Sequence, residues 1–122
     1  LPLAMAGMWT IPLWASLFAA DWLGRGDLRR GTVWAAVLAG GVLVASEATL
    51  WAVPIWRAVD VAMVGPVALY VILPEVLLGA VAYRAWQRVR DRSRGLQVVA
   101  AALVSTFYLG ALAASYLLVD VW

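Results

Sequence analysis

The sequence predicts an all-α, polytopic membrane protein: a bundle of four transmembrane helices with both termini outside. Of its 122 residues, 66% are hydrophobic and 13% are charged, whereas soluble domains are near half apolar and about a quarter charged. Four apolar stretches each approach the roughly 20 residues that a spanning helix needs. Every basic residue is an arginine, and all except Arg57 lie in or beside the first and third connections. The positive-inside rule places those two connections in the cytoplasm.

The chain reads as one domain in which each helix has a recognisable beginning or end. The predicted helices span residues 2–22, 32–53, 64–88 and 96–119. Asp21 and Arg25, four residues apart, are expected to form an ion pair at the end of the first helix. Thr32 is expected to cap the second helix at its N-terminus. Pro54 follows the second helix, and a segment at the membrane interface is expected between it and the third.

Composition excludes several classes of function. The sequence contains neither Cys nor His, which removes disulfides, thiol nucleophiles and the commonest metal ligands. No metal or cofactor is therefore expected. The sequence pI of about 9.5 could suggest nucleic acid, but the arginines cluster at predicted membrane edges, which indicates topology instead. No nucleic-acid partner is expected.

Two carboxylates lie inside the apolar stretches, Glu47 in the second helix and Glu75, directly after Pro74, in the third. A charged residue at mid-membrane costs about 2.5 to 3.5 kcal/mol on insertion scales. We therefore expect each acid to be protonated or paired with a donor inside the bundle. Interhelical hydrogen bonding alone would also explain both acids, and this reading remains open.

A neutral carboxylic acid beside an apolar substrate is a proton donor, and aromatic faces stabilise cations. This combination suits protonation of an olefin followed by carbocation cyclisation. We expect Glu75 to be the proton donor and Glu47 the second acid or proton acceptor. The aromatic residues expected to line the substrate are Trp51, Trp56, Tyr70 and Tyr108.

Residues 40–84 resemble the lycopene cyclase domain of the heterodimeric membrane carotenoid cyclases. The order that carries the resemblance is Glu47, Trp56 with Asp60, Gly65, and Pro74–Glu75 followed by Leu77 and Leu78. The family's motif resembles P-x-E-E, so one of its paired acids is absent here, and Glu47 stands where the family more often has Asp. The resemblance implies isomerising cyclisation of a polyene end group by proton addition and loss, with a second copy or a paralogue completing the site.

Two other functions fit the same sequence. One is a small accessory or structural subunit of a larger membrane complex, in which tryptophans and small residues serve packing. The other is a proton-coupled small transporter unit, although the acid of small multidrug exporters lies in the first helix, where none is found here at depth. The expected partners are lipids, an apolar polyene or terpenoid substrate, and other subunits in a homo- or hetero-oligomer. The expected location is the bacterial plasma membrane, with the arginine-rich loops cytoplasmic.

Overall fold

The predicted all-α bundle of four helices is confirmed. The computed structural model describes residues 2–49 and 60–122. Its helices are α1 Pro2–Gly24, α2 Leu28–Thr49, α3 Leu69–Val89 and α4 Arg94–Tyr116, which continues into a π-helical turn, Leu117–Val121. Within the described residues, α2, α3 and the run Arg94–Val121 are long and apolar enough to cross a membrane. The chain is an integral membrane protein.

The prediction that α2 begins at Thr32 is wrong by one turn. Asp27 precedes the helix, and its Oδ1 accepts hydrogen bonds from the backbone N–H groups of Arg29 at 2.9 Å and Arg30 at 3.1 Å. An aspartate outranks a threonine as an N-terminal cap, so the helix starts at Leu28. The Thr32 hydroxyl instead donates to the Leu28 carbonyl oxygen inside the helix, at 2.6 Å. The predicted end of this helix at residue 53 lies outside the described residues.

A short hairpin delays the start of α3. Strands β1, Met63–Val64, and β2, Val67–Ala68, pair antiparallel and are joined through Gly65, whose φ of +57° lies in the left-handed region. Glycine adopts that conformation without steric cost, so residues 64–68, which the sequence assigned to a helix, form a turn and a strand. Helix α4 begins at Arg94, two residues before the prediction, and Ser93 caps it by accepting from the Leu96 N–H.

Glycines bring α2 and α3 close together. A Cβ atom placed on Gly40 would lie 2.6 Å from Cγ2 of Val76. One placed on Gly79 would overlap the Ala35 carbonyl oxygen and lie 2.5 Å from Cβ of Ala39. In a membrane such small residues let helices approach until their backbones nearly touch.

The helices pack in chain order, α1 on α2, α2 on α3 and α3 on α4. In the described part of the chain, α1 and α4 pack far less closely than these three pairs. The four helices therefore form an incompletely closed bundle, with a cleft between α1 and α4. We call the end that holds residues 25–30 and 84–94 the arginine-rich end, and the end that holds residues 60–68 and 117–122 the hairpin end.

The predicted ion pair between Asp21 and Arg25 is wrong. Helix α1 ends at Gly24, and Arg25 has a left-handed φ of +50°, so the helical spacing on which that pair depended is lost. Asp21 Oδ1 instead accepts from the Tyr83 hydroxyl at 3.1 Å and from Gln87 Nε2 at 2.8 Å. Its Oδ2 lies 3.8 Å from a guanidinium nitrogen of Arg90. These contacts fasten α1 to α3 at the arginine-rich end.

Candidate functional site

The two membrane carboxylates meet between α2 and α3, toward the hairpin end. Glu47 is 4% exposed and Glu75 is 3% exposed. Helix α2 presents Glu47 on the buried face that also holds Gly40 and Leu43. Helix α3 presents Glu75 on the buried face that holds Leu78. The two carboxyls are close enough to interact electrostatically.

Each carboxyl keeps an oxygen without a hydrogen bond. Among the described residues, neither Glu47 Oε1 nor Glu75 Oε2 has a hydrogen-bond partner, although both atoms are buried. The Glu47 carboxyl does accept from the backbone N–H of Ala68, at the end of β2. An acceptor left unsatisfied in an apolar interior costs about 1–3 kcal/mol, so hydrogen bonding with the described part of the bundle explains these acids only in part.

Tyrosines surround the acid pair. Tyr108 of α4 lies close enough to Glu75 and Glu47 to interact with both electrostatically, and Tyr70 of α3 does so with Glu47. The ring of Tyr70 also meets the ring of Tyr116 edge-on, with 5.5 Å between centroids. Two of the four predicted aromatic residues therefore adjoin the acids, while Trp51 and Trp56 lie outside the described residues and stay predictions.

The cleft between α1 and α4 runs from the arginine-rich end toward the acids. Its volume is about 770 Å³, within the range of about 300–1,000 Å³ that is usual for small-molecule sites. Helix α3 forms its floor. The lining residues are Trp9, Thr10, Leu13, Leu43, Leu78, Ala82, Ala85, Trp86, Val89, Arg90, Gln97, Ala100, Ala101, Val104, Ser105 and Tyr108.

Helical spacing aligns the cleft with the acid pair. Glu75 precedes Leu78 and Ala82 of the cleft floor by three and seven residues, so all three lie on one face of α3. Leu43, which also lines the cleft, precedes Glu47 by one helical turn. Tyr108 belongs both to the cleft wall and to the surroundings of the acids. The cleft therefore runs toward the acids and ends one helical turn short of them, with Tyr108 near both.

The β-hairpin covers the acid pair on the side away from the cleft. Val67, Ala68 and Val71 form a buried cluster against which Leu112 of α4 packs. The backbone N–H of Ala62 donates to Oδ1 of Asp120, which ties the segment before the hairpin to the π-helical turn. The acid pair is thus covered at the hairpin end and approached along the cleft.

The family comparison covers nearly the whole chain. A family model described as Domain of unknown function (DUF6989) matches residues 1–119. The chain belongs to this family. No curated protein matches it, and no solved structure does either.

Membership of the DUF6989 family corrects the resemblance to the lycopene cyclase domain, which was wrong as a family assignment. The physical basis of that resemblance also fails at one point. The resemblance implies that the proline-plus-acid motif opens a helix, whereas Pro74 lies inside α3, five residues after its start at Leu69. A proline beside an acid in an apolar stretch is too short a pattern to identify a family.

The cleft of this DUF6989 protein was not predicted from its sequence. Gln97, Ser105 and Tyr108 fall on one side of α4 by helical spacing, and all three line the cleft. The contribution of α3 was missed. Ala82, Ala85 and Val89 recur at helical spacing on the face that begins with Glu75, and this small, apolar stripe was the available signal for a groove.

Proposed function

We propose that this protein is a membrane-embedded acid catalyst that protonates an apolar, unsaturated substrate of the terpenoid type and releases its isomer, including cyclised isomers. The observation that carries the proposal is the buried pair Glu47 and Glu75, each with an oxygen that has no partner among the described residues, one helical turn beyond Leu43 and Leu78 of an apolar cleft. Acids inside transmembrane helices are rare and usually functional, because a charged side chain opposes insertion of the helix into the membrane.

The proposed chemistry needs one acid and one base. Two carboxylates that interact electrostatically inside a membrane are costly to ionise together, so one would carry a proton. We assign the proton to Glu75, which would add it to one carbon of a substrate double bond, forming a C–H bond with the π electrons and leaving a carbocation at the other carbon. The Glu47 carboxylate would then remove a proton from a carbon next to the final cation. The substrate gains one proton and loses one, so no redox partner is required, and return of the proton from Glu47 to Glu75 would restore the starting state.

The aromatic surroundings support this assignment. A carbocation generated beside the acids would lie near the faces of Tyr70 and Tyr108, and a ring quadrupole stabilises a desolvated cation by about 2 kcal/mol. The negative charge of the Glu47 carboxylate would also stabilise this carbocation. Trp51 and Trp56, which the sequence predicts in the same lining, would extend this surface.

The arginine distribution supports an orientation. With the arginine-rich end in the cytoplasm, both termini lie outside and the acid pair lies in the outer half of the membrane. We propose a bacterial plasma membrane as the location and membrane lipid as the medium through which substrate arrives.

The test is a comparison of wild type with Glu75→Gln, which keeps the side-chain shape and removes the acid. Each is expressed in a bacterial host whose membranes contain acyclic isoprenoids, and the extracted lipids are analysed by mass spectrometry. Wild type is expected to yield isomers of unchanged mass but altered retention, which Glu75→Gln lacks. Asp60→Asn, which neutralises an exposed acid, is the matched control and is expected to behave as wild type. Equal product from Glu75→Gln contradicts the proposal.

Proteoliposome measurements distinguish catalysis from proton-coupled transport, which would use the same acids. Flux of an apolar cation driven by a pH gradient, present in wild type and lost in Glu75→Gln, would assign the pair to transport. The proposal predicts no such flux.

A second candidate function is that of a subunit in a larger membrane assembly, and the surface of α4 favours it. Within α4, all of which is described, Ser115 alone is buried. Ala102, Thr106, Gly110 and Ala114 recur every four residues on its exposed side, the spacing at which small residues allow close helix packing. Homo- or hetero-oligomers in mild detergent that Gly110→Leu dissociates would support this candidate, and a monomer in both cases would contradict it.

A further inference from the structure

We infer that the cleft binds a linear isoprenoid chain with an anionic phosphate head group, the head at Arg90 and the head-distal double bond at Glu75. The inference rests on the proposed function, because it names the substrate class of the same site. Three features support it: a cation at one end of the cleft, a mostly apolar lining between the ends, and the acids one helical turn beyond the other end.

The cation is Arg90, which lines the cleft at the arginine-rich end with 45% of its side chain exposed. Its two ion pairs are long, 3.8 Å to Asp21 and 3.7 Å to Asp91. Charge-assisted hydrogen bonds between a guanidinium and an oxyanion are typically about 2.7–2.9 Å. Arg90 therefore keeps donor capacity that a phosphate at the mouth of the cleft would use, in the bidentate geometry that guanidinium groups favour.

The length and lining of the cleft between Arg90 and Tyr108 suit one isoprenoid chain. From Gln97 beside Arg90 to Tyr108 beside the acids, α4 advances eleven residues, which is about 16 Å at 1.5 Å per residue. Over that length α4 contributes Ala100, Ala101, Val104 and Ser105, so this wall of the cleft is small and mostly apolar. A single extended isoprenoid matches this length and this lining.

The arrangement fixes where the reaction begins. With the phosphate held by Arg90, the double bonds near the head lie far from Glu75, and only the far end of the chain reaches the acid. Protonation is therefore expected at the head-distal double bond, and the C–O bond to the phosphate stays intact. The product keeps its phosphate, and an enzyme that builds linear prenyl phosphates must supply the substrate.

The binding experiment uses the purified full-length chain in detergent solution and tritiated geranylgeranyl phosphate as the probe. Arg90→Gln is expected to weaken its binding about tenfold or more, the effect of losing one or two hydrogen bonds to a charged group. Binding of geranylgeraniol, which lacks the phosphate, is expected to stay unchanged. Arg92→Gln is the matched control, since Arg92 is exposed and does not line the cleft.

Three results would overturn the inference. Equal effects of Arg90→Gln and Arg92→Gln would remove the head-group site. Loss of both probes in Arg90→Gln would show that Arg90 maintains the fold. Competition by dioleoyl phosphatidic acid as strong as that by unlabelled geranylgeranyl phosphate would assign the cleft to bilayer lipid.

Failure of the inference and failure of the proposed function give different results. Glu75→Gln is expected to bind geranylgeranyl phosphate normally, because the acid lies at the opposite end of the cleft from the head group. Normal binding with no protonation chemistry in wild type would retain the ligand and refute the catalytic role. Isomers formed from neutral isoprenoids alone, with no contribution from Arg90, would retain catalysis and refute the head-group assignment.

Discussion

Replacing Glu75 by Leu is expected to stabilise the protein while abolishing its proposed activity. The carboxyl is 3% exposed, and its Oε2 has no hydrogen-bond partner among the described residues. An unsatisfied buried acceptor costs about 1–3 kcal/mol, and leucine fills a similar volume without one. The free energy of unfolding should therefore rise by about 1–3 kcal/mol. A site kept for function at the expense of stability behaves in this way.

Glu47→Leu provides an internal comparison. It also removes an unpartnered oxygen, but it deprives the Ala68 N–H of its acceptor. The two effects are of similar size and opposite sign, so little net change is expected. The difference between Glu75→Leu and Glu47→Leu follows from one backbone hydrogen bond.

The assay is thermal unfolding in detergent, followed by circular dichroism. For a chain of this size each 1 kcal/mol shifts the midpoint by roughly 3–6 °C, so Glu75→Leu should melt several degrees above wild type. Leu78→Ala, which removes packing one turn away on the same buried face, shows that the assay detects a loss. A midpoint lowered by Glu75→Leu as much as by Leu78→Ala would refute the reasoning, since it would mean that the carboxyl is a structural hydrogen-bonding group.

Three further predictions concern packing, capping and the cleft. Gly79→Val drives a side chain into the Ala35 backbone and is expected to lower the free energy of unfolding by about 1–3 kcal/mol. The same melting assay measures this loss, and an unchanged midpoint would contradict the close approach of α2 and α3. The Arg30 backbone N–H holds the pKa of Asp27 below its ordinary value. The stability that the Asp27 cap contributes is therefore fully present above the ordinary pKa of aspartate, and it is lost as the pH falls through the lowered pKa of Asp27 in the folded protein. Asp27→Asn, whose cap does not titrate, should lose less stability between neutral and strongly acidic pH than wild type, and identical pH profiles would argue against the cap. Ala101→Trp fills the cleft and should abolish ligand binding with α-helical content unchanged, whereas retained binding would place the ligand elsewhere.

The helices were predictable because apolar length is a strong signal in a membrane protein, where backbone groups must be satisfied within each helix. Their ends were less so. The start of α2 was decided by competition between two capping residues, Asp27 and Thr32, and the start of α3 by a left-handed Gly65 that permits a hairpin. Both are local conformational choices that an apolar pattern does not reveal.

The site was predictable in part for a similar reason. Glu47 and Glu75 are conspicuous as lone acids in apolar stretches, and the structure brings them together. The cleft was not predicted, because it arises where α1 and α4 fail to meet, and the small apolar stripe of α3 was the only signal of it that we find in the sequence. The partners of Asp21 were also missed, since a left-handed Arg25 breaks the helical spacing from which a pair was inferred.

The central claim is that Glu75 gives a proton to carbon, and deuterium labelling tests it most directly. Membranes containing the wild-type protein are supplied with geranylgeranyl phosphate in D₂O, and the isomeric product is analysed by mass spectrometry. The account predicts one deuterium on carbon at the head-distal end in product from wild type, and no product from Glu75→Gln. Product without deuterium, or labelled product that Glu75→Gln forms equally well, would contradict it.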